Sequence, residues 1–343
     1  MHKDKRIGMI IISYKHDEHV KLLIDDLRAQ MKVGDKISLV NNFNGSDLSN
    51  LEVDYYFALD NPGYATAANA AAKPLLPAVD IILAISPGSR VSENLLTVMR
   101  EGANGKDCAA WMPLIVLDNG TVNSAGNIVH ISGLSWCDGY TRNIEVYKDV
   151  RSLNNISGAC MAFSVDWWTR IGGVPDGYFM YYEDPEMSAR VRMLGGQITL
   201  LPKAQVEHIY KENGADDGKK RYFLERNRHL FIIRNWPLGV IVVLSPILVM
   251  SELGLWMVAI REGKFTTKVM ATIAMVKSMS WALRGRREFS PSKIMRTHEY
   301  LAMLHPDVDS PILKSINTPF INRFFRRYHN FAMVATRMLM RNS

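Results

Sequence analysis

The chain has 343 residues, and its 48% hydrophobic content excludes an intrinsically disordered protein. Its three cysteines have no paired spacing, which excludes a disulfide framework and a cysteine zinc site and favours a reducing cytoplasm. The apolar run near the N-terminus is too short for a secretory signal peptide, so we expect a first strand there.

The net charge of +7 is unevenly distributed along the chain. Residues 238–343 contain 15 Lys/Arg and 6 Asp/Glu, a balance of +9, whereas residues 1–237 contain 26 and 28, a balance of −2. The basic residues flank apolar helical segments and do not fall on a recognisable nucleic-acid-binding module. An anionic membrane surface is therefore the expected partner, and nucleic acid is not.

The N-terminal third alternates short apolar runs with segments of helical periodicity. The predicted strands are residues 7–13, 36–42, 54–59 and 80–86. Helices are predicted at 17–31, in the Ala-rich segment after residue 63, and after Ser92, which is a candidate N-cap. This alternation is typical of a mainly parallel sheet covered by helices on both faces. From residue 105 to about 157 the pattern changes to short strands and glycine-rich turns.

The most specific chemical stretch is GYFMYYEDPEMSAR, residues 177–190. An aromatic strand is predicted to end in Glu183 and Asp184, with a helix beginning at the following proline. A carboxylate at such a junction can accept a proton from a hydroxyl nucleophile, which makes Asp184 a candidate general base. In the alternative interpretation, Asp184 is a helix N-cap and Glu186 forms a surface ion pair with Arg190 one turn later.

Residues 238–260 are the most apolar part of the chain, but their charge-free run ends at Ser251 and contains Pro246. Runs of this length more often lie in an interface, re-enter the membrane or form a core helix than span a bilayer. Aromatic residues between 320 and 331 recur at helical spacing with arginines between them, which is typical of a helix in the headgroup layer. We therefore predict a helical membrane-association region at 238–343; the alternative is that these helices only pack on the preceding domain.

Six short motifs follow one another in order along the chain. They are Ser13-Tyr14-Lys15, Val40 to Asn44, Asn61-Pro62-Gly63-Tyr64 through Asn69, Gly158-Ala159-Cys160-Met161, Phe179 to Arg190, and His208 with Arg221 to Asn227. Together they resemble the inverting family 2 glycosyltransferases, especially the bacterial rhamnosyltransferase-like branch. The resemblance implies an α/β fold of the GT-A type, Rossmann-like with a mainly parallel sheet, at residues 1–237. Amphipathic, membrane-associated helices are expected to follow at 238–343.

The resemblance also implies a mechanism and site residues. An acceptor hydroxyl attacks the anomeric carbon of a nucleotide sugar, Asp184 beside Glu183 takes the proton, and a nucleoside diphosphate leaves. The implied donor-binding residues are Ser13, Tyr14, Asn41, Asn61, Gly63, Asn69, Ser86, Arg90, Arg221 and Arg226. The implied acceptor-binding residues are Gly158, Ala159, Glu186 and Arg190.

The chain departs from the family at the turn after the fourth strand, where members carry an acidic metal-binding motif. Here the turn is Ser86-Pro87-Gly88. Glycine offers no side-chain ligand, and a serine hydroxyl is a poor ligand for Mg²⁺ or Mn²⁺ compared with a carboxylate. No metal cofactor is therefore expected, and arginines such as Arg90, Arg221 or Arg226 are expected to stabilise the leaving diphosphate.

The same resemblance suggests a role in cell-surface polysaccharide synthesis, such as O-antigen or capsule, with rhamnose as the transferred sugar. A membrane attachment implies a lipid-linked (polyprenyl diphosphate) saccharide as acceptor and a peripheral or monotopic position on the cytoplasmic face of the inner membrane. The alternative is a non-catalytic paralogue that serves as a membrane-bound scaffold. Retention of Glu183 and Asp184 favours the enzyme, and the lack of GxGxxG after the first strand excludes a nicotinamide dehydrogenase.

Overall fold

The computed structural model describes residues 4–105, 108–209, 217–289, 295–313 and 317–339. The chain forms two compact units. The first comprises Met1–Asn127, Cys137–Arg192 and Gly196–Lys211, and the second comprises Ile128–Trp136, Met193–Gly195 and Glu212–Ser343. The sequence prediction divided the chain after Pro237. By packing, the division falls near residue 211, because the helix before Pro237 packs on the C-terminal helices.

The described strands are β1 (Ile7–Ser13), β2 (Lys36–Asn41), β3 (Tyr55–Ala58), β4 (Ile81–Ile85), β5 (Ser89–Val91), β6 (Cys108–Val116), β7 (Val122–Ser124), β8 (Asn127–Val129), β9 (Ser135–Cys137), β10 (Arg151–Leu153), β11 (Cys160–Ser164) and β12 (Gln197–His208). Ten of them form one sheet in the order β10-β12-β6-β11-β4-β1-β2-β3, with β5 paired to β12 and β7 to β6. The remaining two, β8 and β9, pair as a ribbon.

The neighbours β4, β1, β2 and β3 are all parallel, as predicted from their apolar runs. All seven residues of β1 are buried, as expected for a parallel strand covered on both faces. The pair β6–β12 is also parallel, whereas β11 runs antiparallel between β4 and β6. The sheet is therefore mixed, and the parallel strands place the polar ends of β1 and β2 at the same edge.

The helices of the first unit are α1 (Asp17–Arg28), α2 (Tyr64–Ala72), α3 (Leu95–Gly102), α4 (Val165–Arg170) and α5 (Glu183–Met193). The predicted N-cap of α3 is wrong: Asn94 precedes the helix, and Ser92 lies two residues earlier. Ser92 still belongs to the sheet edge, because its backbone N–H donates to the Gln205 carbonyl at 2.9 Å.

The second unit is mainly helical. Its helices are α6 (Asp217–Asn235), α7 (Leu238–Arg261), α8 (Phe265–Lys277), α9 (Met279–Phe289), α10 (Thr297–Met303) and α11 (Pro319–Leu339). Helix α6 packs on α8 and α9, and α7 contacts α8, α10 and α11. In the described part of the chain, α7 is the one helix long and apolar enough to cross a membrane by length and composition.

Candidate active site

The loop that leads into α5 does not form the predicted aromatic strand. Phe179, Tyr181 and Tyr182 have φ angles of 71°, 70° and 74°, so the backbone at these three positions is left-handed. This conformation is rare for bulky side chains and persists only where surrounding contacts impose it. A strand needs negative φ throughout, so the prediction for 177–182 is wrong. The chain instead turns sharply and begins α5 at Glu183.

Contacts from α2 hold this strained segment. The Tyr64 backbone N–H donates to the Phe179 carbonyl at 2.7 Å. Gly63 has a φ of +96°, and a Cβ at this position would lie 2.7 Å from the same carbonyl oxygen. Asn69 bonds both polar groups of the Val174 backbone, donating at 2.7 Å and accepting at 3.0 Å. Gly63 and Asn69, predicted to bind the donor, thus lie against the backbone of the loop that leads into α5 and of the segment just before that loop.

Asp184, the predicted base, is half-buried, and its Oδ2 atom accepts two hydrogen bonds. The donors are the Gly158 backbone N–H at 2.9 Å and Asn127 Nδ2 at 2.6 Å. Burial raises the pKa of Asp184 to about 6, and these two hydrogen bonds oppose the rise because they favour the charged form. Asp184 is therefore a carboxylate at neutral pH, and it is more basic than an exposed aspartate.

Glu183 is only 8% exposed, and its Oε2 atom has no hydrogen-bond partner among the described residues. Burial, and then the charge of Asp184, raise the pKa of Glu183 to about 8. The same two causes, burial and neighbouring carboxylate charge, raise the pKa of Tyr64. Two coupled carboxyl groups in these surroundings titrate as a pair, and at neutral pH the pair carries about one negative charge.

Sequence reasoning missed Asn127. This residue lies at the start of β8, in the segment where no periodic pattern is visible, and a lone asparagine there has no local signature. Gly158 was predicted on the acceptor side. In the structure it contacts Asp184 directly, and a Cβ added to Gly158 would lie 3.5 Å from Asp184 Oδ2.

Glu186 and Arg190 form the expected ion pair, but the pair is buried and the prediction of a surface pair is wrong. Glu186 also accepts a hydrogen bond from the Tyr178 hydroxyl. Arg190 Nη1 donates to the Ile171 carbonyl at 2.6 Å. Both side chains therefore anchor α5 to the segment before it, and their predicted acceptor role stays a prediction.

Several predicted donor residues do meet at one edge of the sheet. Ser13 and Asn41 are register partners at the carboxyl ends of β1 and β2, and both are buried. Asn41 closes the loop after β2 by donating to the Ser46 carbonyl at 2.8 Å. The partly exposed Tyr14 ring contacts the Phe43 ring edge-on, with centroids 5.5 Å apart.

Asn61 joins the same edge of the sheet. Its Oδ1 atom accepts a hydrogen bond from Asn42 Nδ2 at 3.3 Å. The carboxyl ends of parallel strands are where open α/β sheets bind ligands.

The turn after β4 brings Ser86 to His208 at the end of β12. Ser86 Oγ lies 3.1 Å from His208 Nε2, and the Ser86 backbone N–H donates to the Ala159 carbonyl at 2.8 Å. Burial, followed by the charge of His16, lowers the pKa of His208. No group of three potential metal ligands occurs in the described residues. A hydroxyl and an imidazole without a carboxylate do not suit a hard divalent cation, so this turn does not fit Mg²⁺ or Mn²⁺.

The three arginines predicted to stabilise the diphosphate have other partners. Arg90 makes two hydrogen bonds to the Asp26 carboxylate on α1, at 2.6 and 2.8 Å. Arg221 forms an ion pair with Glu262, and Arg226 donates to the Asn227 side chain at 2.8 Å. Arg90 lies in the first unit and the other two lie on α6 in the second.

A family model described as the N-terminal domain of galactosyltransferase matches residues 140–212, which include the carboxylate pair. A search of curated proteins finds no sequence match. The crystal structure of GalNAc-T7 with UDP, GalNAc and Mn²⁺ superposes with a TM-score of 0.55 at 14% identity, covering 69% of this chain and 49% of that one. The fold is of the GT-A glycosyltransferase type.

Two further structures are similar to a lesser degree. The mannosyltransferase PcManGT from Pyrobaculum calidifontis, in complex with GDP-Man and Mn²⁺, has a TM-score of 0.47 at 14% identity and covers 98% of this chain and 85% of its own. S. aureus TarS has a TM-score of 0.44 at 13% identity, covering 67% and 40%. The chain spans about half the length of the GalNAc-T7 chain. The predicted GT-A fold is confirmed; the family 2 and rhamnosyltransferase assignments stay predictions.

Proposed function

We propose that the protein is an inverting glycosyltransferase that moves a sugar from a nucleoside-diphosphate sugar to an acceptor hydroxyl, with Asp184 as general base. One observation carries this proposal. In a GT-A fold, a strained loop presents Asp184 beside the buried Glu183, and Asn127 and Gly158 hold one oxygen of the Asp184 carboxylate. Such strain and such raised pKa values cluster at functional sites.

In the proposed step, the acceptor oxygen attacks the anomeric carbon while the bond from that carbon to the diphosphate oxygen breaks. The hydroxyl proton passes to Asp184. The hydrogen bonds from Gly158 and Asn127 both end on Oδ2, and we assign the proton to Oδ1. Glu183, protonated at neutral pH, adds no second negative charge beside the base and so keeps the pKa of Asp184 near the operating pH.

We further propose that the reaction needs no divalent metal. The GalNAc-T7 structure contains Mn²⁺, whereas the pair formed here by Ser86 and His208 offers no carboxylate ligand. Arg90 is held by Asp26, whereas the His16 ring lies close to the turn, with its Cδ2 atom 3.8 Å from where a Cβ at Gly88 would be. Protonated imidazoles can stabilise a leaving diphosphate by charge-assisted hydrogen bonds.

The finer predictions belong to the same proposal. The basic, apolar helices of the second unit support a lipid-linked saccharide acceptor at the cytoplasmic face of the inner membrane, in cell-surface polysaccharide synthesis. Rhamnose remains the sugar suggested by the resemblance. The absence of acidic side chains at Ser86-Pro87-Gly88 favours a second candidate, a non-catalytic paralogue that acts as a scaffold.

The experiment measures calorimetric binding of UDP, dTDP, GDP and CMP, each with manganese and with EDTA. Binding of one nucleotide that survives EDTA is the expected result, and no binding in either condition would favour the scaffold. The matching nucleotide sugar is then used to follow nucleoside diphosphate release with a bacterial membrane extract as acceptor. Asp184→Asn should bind the nucleotide and lose transfer. Asp176→Asn, an exposed acid before the same loop, is the matched control; an active Asp184→Asn would contradict the base assignment.

A further inference from the structure

Within the described residues, one face of helix α7 has no protein partner. Its side chains at positions 242, 249, 253, 257 and 260 recur at helical spacing and are between 59% and 67% exposed. All five are apolar: they are Val242, Val249, Leu253, Met257 and Ile260. The opposite face, with Val240, Leu244, Ile247 and Ala259, is buried. Both faces of the helix therefore carry apolar side chains, yet only one of them is covered by the second unit.

Two other helices of the same unit also expose apolar side chains. They are Phe265, Met270, Ile273 and Val276 on α8, and Phe320, Phe324, Phe331 and Val334 on α11. Helix α11 is joined to α7 by a hydrogen bond from the Tyr328 hydroxyl to the Val243 carbonyl, at 2.8 Å. Single exposed apolar residues are common on protein surfaces. A set of exposed apolar side chains shared by three contacting or neighbouring helices instead marks an interaction surface.

A buried ion-pair network fixes the other side of α7. Glu252, the acid within the apolar stretch, bonds to Arg228 on α6 and lies 2.9 Å from the Lys268 ammonium on α8. His229 Nε2 lies 3.1 Å from the same carboxylate, and Lys268 also pairs with Glu225 at 2.6 Å. Arg228 and Lys268 are each only 2% exposed. The network joins α6, α7 and α8 near the middle of the second unit's longest helix.

This network opposes a transmembrane position of α7. To span a bilayer, the helix would have to carry Glu252 and its partners into the hydrocarbon, where charged side chains are costly. Alternatively it would have to leave α6 and α8, which would strand Arg228 and Lys268 as unpaired buried charges. The exposed face can enter the headgroup boundary without either cost, because amphipathic helices bury one face about 5–10 Å deep.

The charges around the exposed face select its partner. Residues 238–343 have a balance of +9. Arg323 and Arg327 are exposed beside the aromatic residues of α11, and the exposed Arg261 and Lys277 end α7 and α8. Like charge opposes a second copy of the chain on this face. Basic residues around exposed apolar side chains suit anionic lipid.

We infer that the second unit binds an anionic lipid bilayer with α7 lying in the plane of the membrane and not across it. This inference is independent of the catalytic proposal. The protein would then be monotopic, and the ion pairs of Glu252 would hold α7 against α6 and α8. Neither charge balance nor hydropathy alone distinguishes this arrangement from a spanning helix.

The test uses the purified full chain and flotation with vesicles of phosphatidylcholine, with and without phosphatidylglycerol. The parent should float with the anionic vesicles only. Val249→Glu/Leu253→Glu should lose flotation, as should Phe324→Glu/Phe331→Glu on α11. Leu22→Glu is the matched control, because Leu22 is an exposed apolar residue on a helix of the first unit. Thermal unfolding of each variant tests whether the fold is kept. Two independent double variants are used so that misfolding of one of them cannot by itself account for a loss of flotation.

Protease added outside the sealed vesicles distinguishes the two orientations. An in-plane α7 leaves no protected fragment, whereas a spanning α7 leaves one. A protected fragment, flotation with neither kind of vesicle, or equal flotation of the parent and both double variants would overturn the inference. The inference would also be overturned if the parent bound no vesicles but formed a dimer that the Val249→Glu/Leu253→Glu substitutions dissociate. None of these measurements depends on nucleotide binding, so their outcome is independent of the proposed activity.

Discussion

Replacing Asn127 with alanine should change the pH dependence of the reaction more than its maximum rate. Asn127 Nδ2 donates to Asp184 Oδ2 at 2.6 Å, and a hydrogen bond to a charged group contributes about 1.5–3 kcal/mol. Because this bond favours the ionised form, its loss raises the pKa of Asp184, by about 1 to 2 units at 1.36 kcal/mol per unit. From a starting pKa of about 6, the carboxyl group of the variant would titrate at or above neutral pH.

In the Asn127→Ala variant, the acid limb of the pH profile of kcat/KM should therefore move to higher pH. At pH 7 about nine-tenths of Asp184 is ionised in the parent, and about a quarter would be ionised if the pKa rose by about 1.5 units. The rate deficit should therefore be largest below pH 7 and shrink toward pH 9. Asn127→Asp, which places a further carboxyl group beside the base, should displace the limb further in the same direction.

The assay is donor turnover between pH 5 and 9 in buffers of constant ionic strength, with nucleotide affinity measured in parallel. Asn119→Ala is the control and should match the parent, because Asn119 is an exposed turn residue whose side chain bonds its loop neighbour Thr121. A variant whose rate falls equally at all pH values would refute the reasoning. In that case Asn127 would position Asp184 without tuning its pKa.

Three further predictions follow from the same contacts. Glu183→Gln should remove the titration near pH 8 from the pH–rate profile and keep activity at pH 7, because the parent side chain is already neutral there; loss of activity at pH 7 would assign Glu183 a direct role. Arg190→Ala should lower the free energy of unfolding by about 3–5 kcal/mol in urea titrations, since it strands buried Glu186, and Arg190→Ala/Glu186→Gln should recover part of the loss. Gly88→Asp should make nucleotide binding stronger with Mn²⁺ than with EDTA. A Cβ at Gly88 meets nothing closer than 3.8 Å, and the new carboxylate would join His208 as a possible metal ligand. Calorimetry with and without metal measures this difference, and an unchanged response to metal would show that the turn does not lie at the diphosphate.

Some features of the fold and of the candidate site could be predicted from the sequence because their signal is local. Strands β1, β2 and β4 are apolar runs ending in polar residues, and both features belong to contiguous residues. Glu183-Asp184-Pro185 likewise marks a helix start, because proline is favoured in the first turn and acids are favoured at the positive end of a helix.

The contacts that those residues make in the folded protein could not be predicted from the sequence. An aromatic run such as 177–182 has a strand-like composition, and its left-handed backbone is imposed by Gly63 and Tyr64, far away in sequence. Arg90 has the charge expected of a phosphate ligand, yet Asp26 on α1 holds it. Glu186 and Arg190 have the spacing of a surface pair, and only the packing of the segment around Ile171 and Tyr178 buries them.

The sequence by itself determined the parallel strands, the start of α5, the carboxylate pair and the basic, apolar character of the C-terminal helices, because propensity, periodicity and charge are properties of neighbouring residues. Only the tertiary structure decided that Asn127 and Gly158 hold Asp184 and that Glu252 ties α7 to α6 and α8. Hydrogen bonds and desolvation depend on which distant side chains share a volume, and they determine which carboxyl group is charged and which helix face is left uncovered.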